Sequence, residues 1–238
     1  ISLDYDHATY APLDNTYKYL AHESDLVALR PAMSINPALI AGFELGAGVT
    51  DYSDARLSDN THASIGPFFR YQFGKRTDLR ASVGFTQYEF DASSFITNKV
   101  SSSGFYADIQ FNHQITPRTS QSLNIGQSQS TDINSAPVQM FYLRYAASLN
   151  IIRHWSFHPT FTFESGNETR GLVQEDFNRY GGGLGVTRQL TDKLSASFNW
   201  SLLRKYSTEE LFNYTQNRLV LNVLYQLYSE LHNETVFV

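Results

Sequence analysis

Large apolar residues recur at every second position along most of this chain, and that regularity constrains the fold more than any other feature. Between Phe141 and Ile151, the residues Phe141, Leu143, Tyr145, Ala147, Leu149 and Ile151 alternate with Tyr142, Arg144, Ala146, Ser148 and Asn150. A period of two places the first set on one face of a β-strand and the second set on the other. About ten residues, rising roughly 3.3 Å each and tilted, cross the hydrocarbon core of a bilayer. The same pattern returns from Leu39 to Val49, Ala63 to Phe73, Leu79 to Phe85, Phe105 to Phe111, Trp155 to Phe163, Leu194 to Leu202 and Leu219 to Leu227, and more weakly elsewhere. Leu3, Tyr5 and His7 open the chain in this style, ahead of a polar segment from Asp14 to Asp25. Val27 to Ile35 follows as a further strand. Pro31 inside it cannot donate to a ladder and marks an edge or a bulge. The total is about twelve strands.

What lies between the apolar positions decides which kind of sheet this is. A soluble sandwich or lipocalin-like barrel would turn its second face to water and fill it with Lys and Glu. Here the second set is Ser, Gly, Asn, Gln, Thr and Tyr with scattered charges. Charged residues make up only 17% of the chain while aromatic residues reach 14%, against roughly 25% charged in ordinary soluble domains. Mean hydropathy is −0.32, as expected when alternate residues face opposite solvents and cancel. No apolar run approaches the ~20 residues of a membrane helix. Cysteine is absent, which excludes thiol catalysis, cysteine metal sites and disulfides. A net charge of −5 without a Lys/Arg cluster argues against nucleic acid.

The connections alternate in length. Short turns fall at Asn36-Pro37, Gly74-Lys75-Arg76, Thr116-Pro117-Arg118, Arg153-His154 and Thr191-Asp192-Lys193. Longer polar stretches fall near Asp54 to Asn60, Ala92 to Lys99, Thr131 to Pro137, Gly166 to Glu175 and Ser207 to Asn213. Short periplasmic turns and long extracellular loops characterise outer-membrane barrels. The expectation is an all-β chain, a transmembrane antiparallel up-and-down β-barrel of about 12 strands in a bacterial outer membrane. Residues 1–228 form the barrel and 229–238 a periplasmic tail. The strand-like pattern already running at Ile1, with no signal peptide, is expected of a mature or trimmed product.

The C-terminal quarter resembles the outer-membrane β-barrel porin families found beside bacterial exopolysaccharide export genes. The resemblance is carried by Tyr180-Gly-Gly-Gly-Leu-Gly-Val-Thr187, the turn Leu190-Thr-Asp-Lys-Leu194, and the run from Asn213 to Leu227. That last run is similar to a closing strand, which in such barrels finishes in an aromatic residue read by the barrel-insertion machinery. Eleven residues follow Leu227, so the signal is internal or lies at Phe237. The resemblance implies a channel and names no substrate.

If the apolar rows meet lipid, the lumen receives Asp4, Asp6, Arg30, Glu44, Arg70, Arg80, Tyr106, Asp108, Tyr142, Arg144, Glu164, Arg179 and Lys205. Charges of both signs in a narrow interior must pair, because an isolated buried charge is expensive. Such residues either tune a permeation path or lock into a network that fills the bore. Tyr106, Tyr142, Gln110, Asn112, Asn199 and Asn222 suit hydroxylated ligands or one another. Tyr71, Phe73, Phe111, Trp155, Phe157, Tyr225 and Tyr228 sit beside short turns, where an interfacial aromatic girdle is expected.

No nucleophile, base and orienter fall into a recognisable motif. His154 and His158 are too far apart along one strand to make a compact metal site. The leading expectation is therefore a passive channel for a polar polymer or small solute, without catalysis, cofactor or metal. The alternatives are a structural barrel closed by its own side chains that anchors an envelope assembly, and an outer-membrane hydrolase. Expected partners are membrane lipid, the barrel-insertion machinery and envelope proteins attached at the termini.

Overall fold

Because side chains alternate strictly, a hydrophobic row stays on one face across a sheet only if neighbouring strands pair in one register. The structure, a computed structural model describing residues 1–94, 98–131, 137–150, 152–168 and 175–225, shows that register, shifted only beside short turns at Ser34/Asn36, Gln114/Thr116 and Gln189/Thr191. Its strands are β1 (Ser2–Tyr10), β2 (His22–Arg30), β3 (Ala32–Asn36), β4 (Leu39–Tyr52), β5 (Asn60–Phe73), β6 (Thr77–Phe90) and β7 (Val100–Thr116). They continue as β8 (Thr119–Thr131), β9 (Pro137–Leu149), β10 (Trp155–Glu168), β11 (Glu175–Thr191), β12 (Leu194–Ser207) and β13 (Tyr214–Tyr225). Each pairs antiparallel with its neighbours in one up-and-down sheet. Leu45 faces Ile65, Ile65 faces Phe85, and Phe85 faces Phe105. Further on, Leu143 faces Phe163, Phe163 faces Tyr180, Leu184 faces Trp200, and Trp200 faces Leu219.

The expected strand from Val27 to Ile35 is two strands, because Pro31 interrupts it. The Pro31 carbonyl nevertheless accepts the Phe43 amide at 3.0 Å, so β2 and β3 run along the same side of β4. The sheet path thus has twelve positions, with β1 and β13 at its flanks. Among the described residues no pairing joins those two strands. Hydrocarbon cannot satisfy a free row of amides, so each flank requires a neighbour within a membrane. A second difference is at Asp14 to Asp25. The segment holds a 3₁₀ turn at Asn15–Leu20, and β2 already begins at His22. Asp25, expected in a loop, lies within the ladder, where its carboxylate accepts from Tyr5 Oη at 2.6 Å and lies 2.9 Å from His7 Nδ1.

Burial is inverted relative to a soluble protein. Phe43, Phe85, Phe105 and Ile109, all on the apolar face, are 55, 47, 56 and 50% exposed. Glu164, Glu168 and Glu175, on the other face, are 8, 7 and 5% exposed. A water-soluble fold reverses this assignment. The polar face is the more buried, concave one, and the apolar face is presented outward as lipid requires. Outward aromatic residues cluster at both ends of the strands. Near the short turns Tyr71 meets Phe73 edge-on at 4.5 Å, and Trp155 stacks with Phe157 at 6.4 Å. Towards the long loops Phe141, Phe163, Tyr180 and Tyr206 form a row with centroids 6.4, 5.2 and 6.2 Å apart. Bilayer interfaces favour such aromatic clusters, and further outward rings, Phe85 and Phe105 among them, lie between. Tyr228, Phe237 and the 229–238 tail lie outside the described residues.

At the long-loop end the β4–β5 connection is tied down on two sides. Ser53 N–H bonds the Ala21 carbonyl and Ser94 N–H bonds the Ala55 carbonyl, each at 2.9 Å. Within this loop Asp54 accepts from the Arg56 amide at 2.9 Å and from its guanidinium at 2.9 and 2.8 Å. These bonds favour the charged carboxylate and hold its pKa at about 2, below the ordinary 3.8. The stabilisation is present above the unfolded value and is lost as pH falls through the folded one. We expect the Arg56 amide resonance to titrate with a midpoint near 2; a midpoint near 3.8 would show that the loop contact does not form in solution.

Candidate lumen wall

Every predicted lumen residue falls on the concave face. Asp4, Asp6, Arg30, Glu44, Arg70, Arg80, Tyr106, Asp108, Tyr142, Arg144, Glu164, Arg179 and Lys205 all occupy rows that alternate with the apolar ones. The structure assembles them into three groups.

The first spans β1 to β6. Glu44 is held between Arg30, whose Nε lies 3.3 Å away, and the Arg80 guanidinium; Arg30 also pairs with Asp4. Arg70 donates to Asp78 at 2.5 Å, a partner that sequence reasoning had not singled out. Three guanidiniums (Arg30, Arg70, Arg80) thus meet three carboxylates (Asp4, Glu44, Asp78). Glu44 on β4 reaches Arg80 on β6 across β5, where its register partner is Gly66. A Cβ on Gly66 would lie 2.5 Å from the Tyr106 hydroxyl and 2.1 Å from the Val83 carbonyl oxygen. The missing side chain leaves room for Tyr106 to lie against the wall.

In the second group, Tyr142 on β9 donates its hydroxyl to Asp108 on β7 at 2.7 Å, passing over Gly126 of β8. A Cβ there would lie 2.5 Å from both the Tyr142 hydroxyl and the Ala107 carbonyl oxygen. Because one obstacle is backbone, Gly126→Ala should cost about 1–3 kcal/mol of stability by overpacking, read as a lowered urea midpoint. Asp108→Asn, which keeps the shape, should cost less. The reverse order would mean that the hydrogen bond, and not the space, positions Tyr142.

The third group lies nearer the long loops. Glu164 sits between Arg144 at 3.0 Å and Arg179 at 2.8 Å. The Arg144 guanidinium also stands 4.6 Å from the Tyr142 ring, and that of Arg179 stands 5.0 Å from the Phe177 ring. Lys205 pairs with Glu175 at 2.6 Å, with its Nζ 4.7 Å from the Phe177 ring. Glu175 and Phe177 were not anticipated, because their strand begins in what reads as a loop. Among these paired residues, cations (Arg144, Arg179, Lys205) exceed carboxylates (Glu164, Glu175) by one. The wall is paired but not dry: the Arg70 and Arg144 side chains are 57 and 49% exposed.

Solved structures share this architecture. The copper transporter OprC matches with a TM-score of 0.59 at 10% identity, over 87% of this chain and 41% of its own. The fold is that of an outer-membrane β-barrel. The FrpB iron transporter of Neisseria meningitidis matches at 0.54 and 10% identity, over 89% of this chain and 41% of that one. The ferric yersiniabactin uptake receptor FyuA of Yersinia pestis matches at 0.51 and 11% identity, over 88% and 37%. This chain therefore spans about two fifths of the length of these barrels. No family model matches the sequence, and no curated protein matches it. The resemblance to porins of exopolysaccharide export loci thus has no support beyond the barrel itself.

Proposed function

We propose that the chain forms a passive channel wall for polar solutes, with a hydrated polymer such as a polysaccharide as the larger cargo class. The observation that carries this reading is Arg144: Glu164 holds it, yet half its side chain remains open to the enclosed space. Charges that are fixed in place and still wet can bias which ions pass. Gln110 and Asn112 occupy the same concave rows and suit hydroxylated cargo. On this reading the chain catalyses no reaction. Reconstitution into a planar bilayer tests it: discrete conductance steps are expected, and a correctly folded barrel without them would overturn the channel.

A second reading, a barrel sealed at one end, is favoured by the long-loop mouth. There Leu57 and Ser58 of the tied loop are 7 and 1% exposed, and Phe90 on the concave face is 2% exposed. Replacing residues 54–58 with a short Gly/Ser linker separates the two. A sealed barrel is silent until the loop is removed, whereas an open channel conducts before and after.

A further inference from the structure

The outward face of β10 to β12 carries a groove of about 740 Å³ towards the long loops. The glycine run Gly181–Gly183 makes it, with Gly182 pointing outward in register with Leu202. A Cβ on Gly182 would meet nothing closer than the Thr160 carbonyl oxygen at 3.9 Å, so the space above it is open. Phe161, Tyr180, Trp200 and Leu202 supply the apolar lining, and Arg204, Tyr206 and Asn178 line the end nearest the loops. The exposed Arg204 guanidinium stands 4.6 Å from the Tyr206 ring. Among the described residues no carboxylate lies within ion-pair distance of it. On the concave face Arg30, Arg70, Arg80, Arg144 and Arg179 each have such a partner, whereas Arg218 on the flanking strand β13 has none among the described residues.

An apolar groove with an unpaired cation beside an interfacial tyrosine towards one end has the polarity profile of an anionic lipid. The chain would lie where hydrocarbon is required, and the phosphate would sit where a guanidinium snorkels to the interface. We propose that this groove binds one membrane lipid with a phosphate-bearing, net negative head group, its acyl chain over Gly182 and its phosphate on Arg204. The inference rests on the barrel fold and not on conductance, so a silent barrel would leave it intact.

The chain's two tryptophans make the test direct, since Trp200 lines the groove and Trp155 lies at the opposite strand end. In a Trp155→Phe protein, Trp200 fluorescence is measured in phosphatidylcholine vesicles containing acyl-brominated phosphatidylglycerol or acyl-brominated phosphatidylcholine. The brominated anionic lipid should reach half-maximal quenching at a several-fold lower mole fraction than the zwitterionic one. Arg204→Gln should abolish that preference, and Gly182→Leu, which fills the slot, should weaken quenching by both lipids. A Trp200→Phe protein reports from Trp155, whose ring has the Arg188 guanidinium 5.0 Å away, and any preference it shows should be unchanged by Arg204→Gln. Equal quenching by the two lipids, a preference that survives Arg204→Gln, or a Trp200 shielded from both lipids by a second copy of the chain would each overturn the proposal.

Discussion

A chain carrying Leu143→Arg should fail to enter phosphatidylcholine vesicles, while one carrying Ser148→Arg should enter and fold. Leu143 stands at the middle of β9 on the outward face, in register with Ile125 on one side and Phe163 on the other. An Arg at that depth on the lipid face costs about 2–4 kcal/mol, a large part of the roughly 5–15 kcal/mol that holds a domain folded. Ser148 points the other way, opposite Ser120, where a guanidinium meets hydroxyls and water. The folded fraction, read from electrophoretic mobility without boiling and from urea titration, should separate the two variants clearly. Equal tolerance of both would sink the assignment of faces on which every statement about the lumen depends.

Replacing Glu164 with Gln should damage both stability and ion preference. The carboxylate serves two guanidiniums, and its loss leaves Arg144 and Arg179 facing one another without a counter-charge. Breaking a buried pair costs about 3–5 kcal/mol; the half-exposed Arg144 brings this to about 2–3 kcal/mol. In a conducting barrel the same change should move the reversal potential under a salt gradient towards anions by a several-fold permeability ratio. The double variant Arg144→Gln/Glu164→Gln restores the net charge and should recover most of the selectivity loss but only part of the stability loss, because Arg179 still lacks its partner. If the double variant is as impaired as the single one, the pair does not act as a unit. A stability loss without any change in selectivity would assign Glu164 to the scaffold alone.

Much of this fold is legible in the sequence because a period of two carries through about twelve strands with few interruptions. Leu143 and Phe163 announce their face as soon as their neighbours are read. Pro31 also announces a break, since its ring cannot donate to a ladder. What stays hidden has physical reasons. The start of β2 at His22 is masked by Glu23, Ser24 and Asp25, polar residues that a strand accepts near a membrane surface. The lumen residues are legible as a set, because a charged residue in alternation with lipid-facing ones can only turn inward. Their partners are not. Arg80 meets Glu44 two strands away, and Tyr142 meets Asp108 likewise, by a register that no local pattern records. The glycines between them, Gly66 and Gly126, look in sequence like any other small residues of the inner row.

Those glycines bear on the width of the bore. A tyrosine side chain is longer than the spacing between two strands, so on the inner face of a curled sheet it would ordinarily project towards the axis. Tyr106 and Tyr142 instead recline over missing side chains, with their hydroxyls above the glycine backbone. Clearance for cargo is thus set at Gly66, Gly84 and Gly126, as much as by the number of strands or by charge. A methyl group at any of these positions would tilt a ring away from the wall and narrow the passage by adding bulk behind it, not within it.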